Sequence, residues 1–278
     1  PCLISIPNWS HYFSQLFFEA KRNCFDQYCF CGVMVLHTDL HNPLCKKLVK
    51  IYKHIFFDLD RTLWDFESNS HETLIDLYYD QKIDQRIGVD ADHFIKTYKS
   101  KNASMWEDYR NGRIDKPTLR KLRFHHALLE FDYDNQEFAI ELNELYIYNC
   151  SRKTKLIDNS IEVLEYLLPK YSLHIITNGF VEAQEIKLKE SGLEKYFEQI
   201  IISDGLGFKK PDKRIFHYAM KKAKALSSNS LMVGDDYGPD VIGAKLVGMD
   251  QVFFKTGQTI KSEATYNIER LMELKEFL

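Results

Sequence analysis

Hydrophobic and polar positions alternate along the second half of the chain in blocks typical of strands and helices. Four short apolar runs have the length of buried strands: Leu173–Ile176, Ile200–Ile202, Leu231–Val233 and Val252–Phe254. Segments beside them place apolar residues every three or four positions, which predicts helices over 161–168, 181–190, 213–224 and 241–247. Strands separated by helices predict a parallel, doubly wound sheet of the α/β class, in which ligands bind beyond the carboxyl ends of the strands.

A fifth apolar run, His54–Phe57, precedes a long region without strand spacing. Between residues 67 and 150 the apolar residues recur at helical intervals, and Asp115 and Asn135 are typical of the residues that begin helices. We therefore predict a helical domain over 67–150, inserted into a core domain that consists of 50–66 and 151–278.

The first 49 residues have a different character, with no clear period of a strand or a helix. We predict that they are an extension, either poorly ordered or not native to the protein; the alternative is a small accessory or targeting element. Five of the six cysteines fall in the first 45 residues. Cys24, Cys29 and Cys31 are possible zinc ligands, but they lack the Cys-x-x-Cys spacing of such sites, which disfavours a metal there.

Charge and composition exclude several classes of partner. The chain has 278 residues, with 37 Lys and Arg against 40 Asp and Glu, which gives a net charge of −3. Because the chain has no excess of positive charge, a nucleic-acid polymer is not an expected partner. Its apolar runs are too short to cross a bilayer, which predicts no membrane partner. Cys150 is the only cysteine beyond residue 45, and this scarcity favours a cytoplasmic location. The sequence does not indicate an oligomeric state.

Reactive side chains follow the predicted strands at four places. They are Asp58-Leu59-Asp60-Arg61-Thr62, Thr177-Asn178-Gly179, Lys209-Lys210-Pro211, and Gly234-Asp235-Asp236 with Asp240. Each segment alone is compatible with an ordinary turn or loop. Together they bring several carboxylates to one edge of the sheet, where a cation is needed to offset their repulsion, and oxygen ligands suit Mg²⁺.

These four segments resemble the four motifs of the haloacid dehalogenase superfamily, and the inserted helices resemble its α-helical cap. The stretch from Phe56 to Phe66, with Thr177-Asn178-Gly179 and Leu231–Asp235, is most similar to the noncanonical pyrimidine 5′-nucleotidases of that superfamily. The resemblance covers roughly residues 50–278. It implies a Rossmann-like core and a phosphatase whose substrate is a small phosphorylated metabolite, with a nucleotide favoured.

The resemblance also implies a role for each motif residue. Asp58 would be the nucleophile that forms an aspartyl phosphate, and Asp60 would be the general acid and base. The implied magnesium ligands are the Asp58 carboxylate, the Asp60 backbone carbonyl and Asp235. Thr177, Asn178 and Lys210 would bind phosphate, and Asp240 would orient Lys210 or a metal-bound water. Asp236 departs from the Ser or Thr often found at its position, so it either faces solvent or alters the metal shell.

Several alternatives stay open at this point. Asp60 disfavours dehalogenase chemistry, because halide leaves without a proton. A phosphomutase, a phosphatase of a sugar phosphate or of phosphoglycolate, and a non-catalytic binding protein remain. Trp64 and Trp106 are the candidate substrate contacts. Arg120, Lys121 and Arg123 are expected on a solvated helix face, and His125-His126 on a helix face rather than at a metal.

Overall fold

The computed structural model of the chain describes residues 51–255, 257 and 259–278, together with the strand backbone at 33–34 and 49–50. The chain divides into two compact units, Pro1–Ile51 and Tyr52–Leu278. In the first unit, strand β1 (Val33–Met34) pairs antiparallel with β2 (Val49–Lys50). The predicted extension otherwise lies outside the described residues, as do its cysteines.

A six-stranded parallel sheet forms the centre of the second unit. Its strands are β3 (His54–Phe57), β4 (Ser172–Thr177), β5 (Gln199–Ile202), β6 (Ser230–Gly234), β7 (Asp250–Phe254) and β8 (Tyr266–Ile268). Their order across the sheet is β5-β4-β3-β6-β7-β8, and every neighbouring pair is parallel. The predicted α/β class and the five predicted strands are confirmed. The short strand β8, which no apolar run of the sequence indicated, follows β7 at the edge of the sheet.

Strand register decides which residues meet at the carboxyl edge of the sheet. Phe57 of β3 lies beside Ile175 of β4 on one side and beside Val233 of β6 on the other. The chain therefore leaves β3 at Asp58, between the ends of β4 and β6, because parallel strands in register end at the same edge.

Five helices follow β3 within residues 66–150, as the absence of strand spacing in that region predicted. They are α1 (Phe66–Asp80), α2 (Ile83–Ile87), α3 (Ala91–Arg110), α4 (Lys116–Leu129) and α5 (Gln136–Cys150). Asp115 and Asn135 cap the starts of α4 and α5, where their side chains accept hydrogen bonds from the backbone N–H groups of Thr118 and Phe138. These side-chain caps satisfy N–H groups that the first turn of a helix leaves free, so both predicted starts are confirmed.

Helices also cover the two faces of the sheet. They are α6 (Ser160–Leu167), α7 (Val181–Glu190), α8 (Lys213–Ala223), a π-helical turn at Tyr237–Ile242, and α9 (Gly243–Lys245). Alternate residues of β3 point to opposite faces: Ile55 and Phe57 pack in one hydrophobic cluster and Phe56 in another. The predicted helix over 241–247 in fact begins earlier, in the π-helical turn. Within the described ranges, no helix combines the length and the apolar character that crossing a membrane requires.

The expected solvated face on α4 is wrong in part. Lys121 is exposed and Arg120 is half-buried, but Arg123 is only 5% exposed. Its Nε donates to Oδ1 of Asn143 on α5 at 2.7 Å, and its guanidinium lies 4.9 Å from the ring centre of Tyr146. Packing of α4 against α5 buries this arginine, and the helical pattern of the sequence does not show which neighbour a helix meets.

Candidate active site

A cavity of about 770 Å³ opens at the carboxyl edge of the sheet and continues between the core and the helices of 66–150. Its walls include the motif residues Asp58, Asp60, Thr177, Asn178, Lys210, Asp235 and Asp240. The four segments that the sequence singled out therefore do meet at one place.

A buried lysine links two of these carboxylates. Lys210 Nζ donates to Asp58 Oδ1 at 2.5 Å and to Asp240 Oδ1 at 2.6 Å, and Lys210 is 2% exposed. Burial raises the pKa of Asp58 to about 7, against the lowering effect of Lys210. Burial by itself would lower the pKa of Lys210, but Asp240 and Asp58 raise it overall, so the lysine stays charged. The neighbouring residue Lys209 lies elsewhere, with its Nζ donating to the Tyr109 carbonyl at 2.6 Å.

A third carboxylate completes an acidic cluster. Asp235 accepts a hydrogen bond from Thr62 Oγ1 at 3.3 Å, and ligand atoms of Asp58, Asp235 and Asp240 all lie within 4.8 Å of one another. Burial, followed by the charges of Asp58 and Asp240, raises the pKa of Asp235 to about 8. One lysine cannot offset three buried carboxylates, so the donor set and its charge fit a divalent cation that prefers oxygen ligands.

Asp240 accepts a hydrogen bond at each of its two carboxylate oxygens. Its Oδ1 accepts from Lys210, and its Oδ2 accepts from the backbone N–H of Asp236 at 3.1 Å. A Cβ on Gly234 would lie 2.2 Å from Asp240 Oδ2, so only glycine lets this carboxylate approach the end of β6. Asp240 therefore contacts both the Lys210 ammonium and the backbone at Asp236. The Asp236 side chain is exposed and lines the cavity.

Asn178 holds the backbone that carries the lysine. Its Nδ2 donates to the Lys210 carbonyl and its Oδ1 accepts from the Lys210 N–H, both at 2.9 Å. This pair of bonds ties the side-chain amide of Asn178 to the backbone of Lys210. The Thr177 hydroxyl is buried and accepts from the Gly179 N–H at 3.2 Å.

Asp60 has two partners that the sequence did not identify. Gln184 Nε2 donates to its Oδ2 at 2.7 Å, and Lys187 Nζ lies 2.5 Å from its Oδ1. Burial would raise the pKa of Asp60, but Lys187 and Gln184 lower it overall. Both partners lie on α7, and a polar residue in a helix gives no sign in the sequence of facing a site. Their spacing of three residues, which puts them on one helix face, was the available signal.

The turn that carries Asp60 is itself unusual. Arg61 has φ 67°, in the left-handed region that non-glycine residues seldom occupy. Its backbone N–H donates to the Trp64 carbonyl at 2.8 Å, and its guanidinium lies 4.3 Å from the ring centre of Phe66. These contacts hold a conformation that costs about 1–3 kcal/mol, which is common where a site needs a fixed direction.

The two predicted substrate contacts have different surroundings. Trp64 is fully buried, its Nε1 donates to the Lys153 carbonyl at 3.0 Å, and it is absent from the cavity wall. The structure therefore does not support Trp64 as a substrate contact, because the indole packs in the core beneath Lys187. Trp106 does line the cavity, where its ring stacks on Phe180 with centres 5.2 Å apart.

The sequence of this chain is similar to those of known hydrolases. A family description, haloacid dehalogenase-like hydrolase, matches residues 52–248. The pyrimidine 5′-nucleotidase YjjG of Escherichia coli is 29% identical over 228 residues, which cover 81% of this chain and 96% of that protein. A glyceraldehyde 3-phosphate phosphatase of Pyrococcus abyssi is 34% identical over 217 residues, covering 74% of this chain and 82% of that protein.

One solved structure with a similar fold is of a protein bound to magnesium. The crystal structure of the hydrolase YfnB from Bacillus subtilis bound to magnesium superimposes with a TM-score of 0.75 at 29% identity, covering 82% of this chain and 99% of that chain. The shared fold thus extends over the core and the helices of 66–150.

Proposed function

The chain belongs to the haloacid dehalogenase-like hydrolase family, and from that premise we propose that it is a magnesium-dependent phosphatase of nucleoside 5′-monophosphates, with pyrimidine nucleotides favoured. One observation carries the chemistry: Asp58 lies in a large cavity with Lys210 at 2.5 Å and two further carboxylates close by. This arrangement offers a nucleophilic carboxylate, a cation for the phosphate, and ligands for a metal.

The proposed reaction has two steps. An Asp58 oxygen attacks phosphorus, the bond from phosphorus to the ester oxygen breaks, and Asp60 gives that oxygen a proton. A water then attacks the aspartyl phosphate, loses its proton to Asp60, and releases phosphate from Asp58. A bound magnesium ion, held by the Asp58 carboxylate, the Asp60 carbonyl and Asp235, would offset the charge of the phosphate.

Charge on the transferring phosphoryl group needs fixed donors. Lys210 is held by Asp240 and by the amide of Asn178, so its ammonium is preorganised to meet the phosphoryl oxygens. Thr177 lines the same cavity. Such donors act best when they cost no reorganisation at the moment of reaction.

The helices of 67–150 serve in this proposal as a cap over a core made of 50–66 and 151–278. Phe180, directly after the Thr177-Asn178-Gly179 segment, is enclosed by Trp106 and by Lys116, whose Nζ lies 4.6 Å from the ring centre. Lys116 also pairs with Glu182 at 3.0 Å and with Asp204 at 2.7 Å. These contacts hold the cap against the core beside the cavity.

The size and lining of the cavity favour a nucleotide over a smaller ester. A volume of about 770 Å³ lies within the range for ligands of nucleotide size. Asn102 is 8% exposed with its Oδ1 lacking a hydrogen-bond partner, and the buried Arg123 has the neutral Asn143 as its partner. Both line the cavity, and such groups suit a leaving group rich in hydrogen-bonding atoms.

A sugar phosphate is the second candidate substrate. The resemblance to archaeal glyceraldehyde 3-phosphate phosphatases, at 34% identity, favours it. A triose phosphate would leave the cap side of the cavity unfilled, and the unpartnered Asn102 oxygen would gain nothing from it.

A panel of phosphate esters tests the proposal directly. Phosphate release is measured for pyrimidine and purine 5′-monophosphates, glyceraldehyde 3-phosphate and phosphoglycolate, each with magnesium and with EDTA. We expect magnesium-dependent release and a kcat/KM for pyrimidine nucleotides at least about 10-fold above the smaller esters, the effect of about 1.4 kcal/mol of added contacts. Higher kcat/KM for a small ester would favour the second candidate, and turnover in EDTA equal to that in magnesium would contradict metal dependence.

A further inference from the structure

Both oxygens of the Asp60 carboxylate are bound by one face of helix α7. Lys187 Nζ lies 2.5 Å from Oδ1, and Gln184 Nε2 donates to Oδ2 at 2.7 Å. A carboxylate held at both oxygens cannot rotate about its last torsion without breaking a bond. Each oxygen keeps a second lone pair, so a proton can still sit on the carboxyl.

The ion pair between Lys187 and Asp60 is largely buried. Lys187 is 7% exposed, and its Nζ lies 4.3 Å from the ring centre of Trp64. A buried ammonium is costly unless it is paired, and here a carboxylate and an aromatic face compensate it. Trp64 therefore contributes to the site indirectly, as the surface on which the lysine rests.

Gln184 ties Asp60 to the phosphate-binding segment. Its Nε2 also donates to Thr177 Oγ1 at 2.8 Å, and the residue is fully buried. A Cβ on Gly179 would lie 1.8 Å from Gln184 Nε2, so the absence of a side chain at Gly179 makes room for the Gln184 side chain. The same amide thus sets the distance between Asp60 and Thr177.

We propose that Lys187 and Gln184 are positioning residues that hold the Asp60 carboxyl toward the oxygen of the leaving group. The inference rests on the proposed function, in which Asp60 gives that oxygen its proton. Misplacement of a reacting group by about 1 Å costs about 100-fold in rate, so a two-point hold on the acid is a large effect. The loss should appear where the acid matters, in the cleavage of poor leaving groups.

A purely structural role makes a different prediction. If Lys187 only neutralised a buried charge, its removal would slow every substrate through general loss of active protein. Comparison of a nucleoside 5′-monophosphate with p-nitrophenyl phosphate separates the two roles, because nitrophenolate leaves without a proton whereas a sugar alkoxide needs one.

The experiment uses the full chain with Lys187→Met, Lys187→Arg and Gln184→Met, each alone and combined with Asp60→Asn. Lys187→Met should lower kcat for the nucleotide about 10- to 100-fold, the loss expected when the acid is misplaced but still present, and kcat for p-nitrophenyl phosphate less than about 3-fold. Lys187→Arg should recover much of the loss, and Gln184→Met should show the same selectivity. The exposed Lys189 of the same helix provides the control, since Lys189→Met should behave like the unaltered enzyme.

The double variants give a sharper readout. If Lys187 acts through Asp60, Lys187→Met combined with Asp60→Asn should be no slower on the nucleotide than Asp60→Asn alone. Additive losses, or equal slowing of both substrates by Lys187→Met and Gln184→Met while Asp60→Asn still discriminates between them, would overturn the positioning role and leave the proposed function intact. If Asp60→Asn itself slows both substrates equally, the acid role fails and this inference fails with it.

Discussion

Replacing Asp235 with Asn should stabilise the metal-free protein at alkaline pH while it removes activity. Three carboxylates are crowded near one lysine, and burial and the neighbouring charges of Asp58 and Asp240 raise the pKa of Asp235 to about 8. Ionised Asp235 therefore destabilises the fold until a cation binds. Asn keeps the shape of the side chain and can still accept a hydrogen bond from Thr62, but it carries no charge.

The free energy of unfolding changes with pH because the pKa values of these carboxyls differ between the folded and the unfolded chain. The pKa of Asp235 rises from 3.8 in the unfolded chain to about 8, and that of Asp58 from 3.8 to about 7. Acids with raised pKa values contribute stability that is present at low pH and is lost as pH rises through the folded pKa. The free energy of unfolding of the metal-free protein should therefore fall between about pH 4 and about pH 8.

The pKa shift of Asp235 sets an upper limit on the stabilisation that Asp235→Asn can produce. A rise from 3.8 to about 8 for Asp235 corresponds to about 6 kcal/mol at about 1.4 kcal/mol for each pKa unit. Solvent that enters the cavity screens the charge, and protonation of the neighbouring Asp58, whose pKa is also raised, relieves part of the repulsion. We therefore expect Asp235→Asn to raise the free energy of unfolding by about 2–3 kcal/mol at about pH 8, and by less at about pH 5.

Urea unfolding in EDTA, followed by circular dichroism at both pH values, measures this difference. Asp236→Asn is the matched control, because Asp236 is the exposed neighbour and its replacement should change stability by less than about 0.5 kcal/mol. Magnesium should stabilise the unaltered protein and have little effect on Asp235→Asn. A metal-free protein whose stability is constant or rises with pH, or a destabilised Asp235→Asn, would refute the reasoning.

Three other predictions test the remaining parts of the site. Asp58→Asn should abolish phosphate release while circular dichroism shows an unchanged fold, since the amide cannot attack phosphorus; more than trace activity would exclude Asp58 as the nucleophile. With Asp60→Asn, rapid quench with radiolabelled p-nitrophenyl phosphate should trap a longer-lived phosphoenzyme, because no base activates the water, and the absence of such a species would contradict the second step. A chain that begins at Lys50 should fold and turn over like the full chain, since Tyr52–Leu278 is a compact unit of its own, whereas insoluble or inactive protein would show that the first residues are needed.

The order of strands and helices, and the residues at the strand ends, could be predicted from the sequence. Apolar runs in parallel strands are nearly continuous, and caps such as Asp115 mark helix starts, so local pattern is sufficient for these elements. Strand β8 was missed because three residues, Tyr266–Ile268, are too short to show a period. In the same way, the left-handed Arg61 has no mark in the sequence.

Only the tertiary structure decided which side chains meet. The sequence by itself determined that Asp58, Thr177, Lys210 and Asp235 lie at one edge, because parallel strands end together. It did not determine that Arg123 is buried or that Lys187 forms an ion pair with Asp60. Those contacts depend on the rotation of α4 and α7 against their neighbours, and the packing of distant segments sets that rotation, whereas a helix's own period defines only its faces.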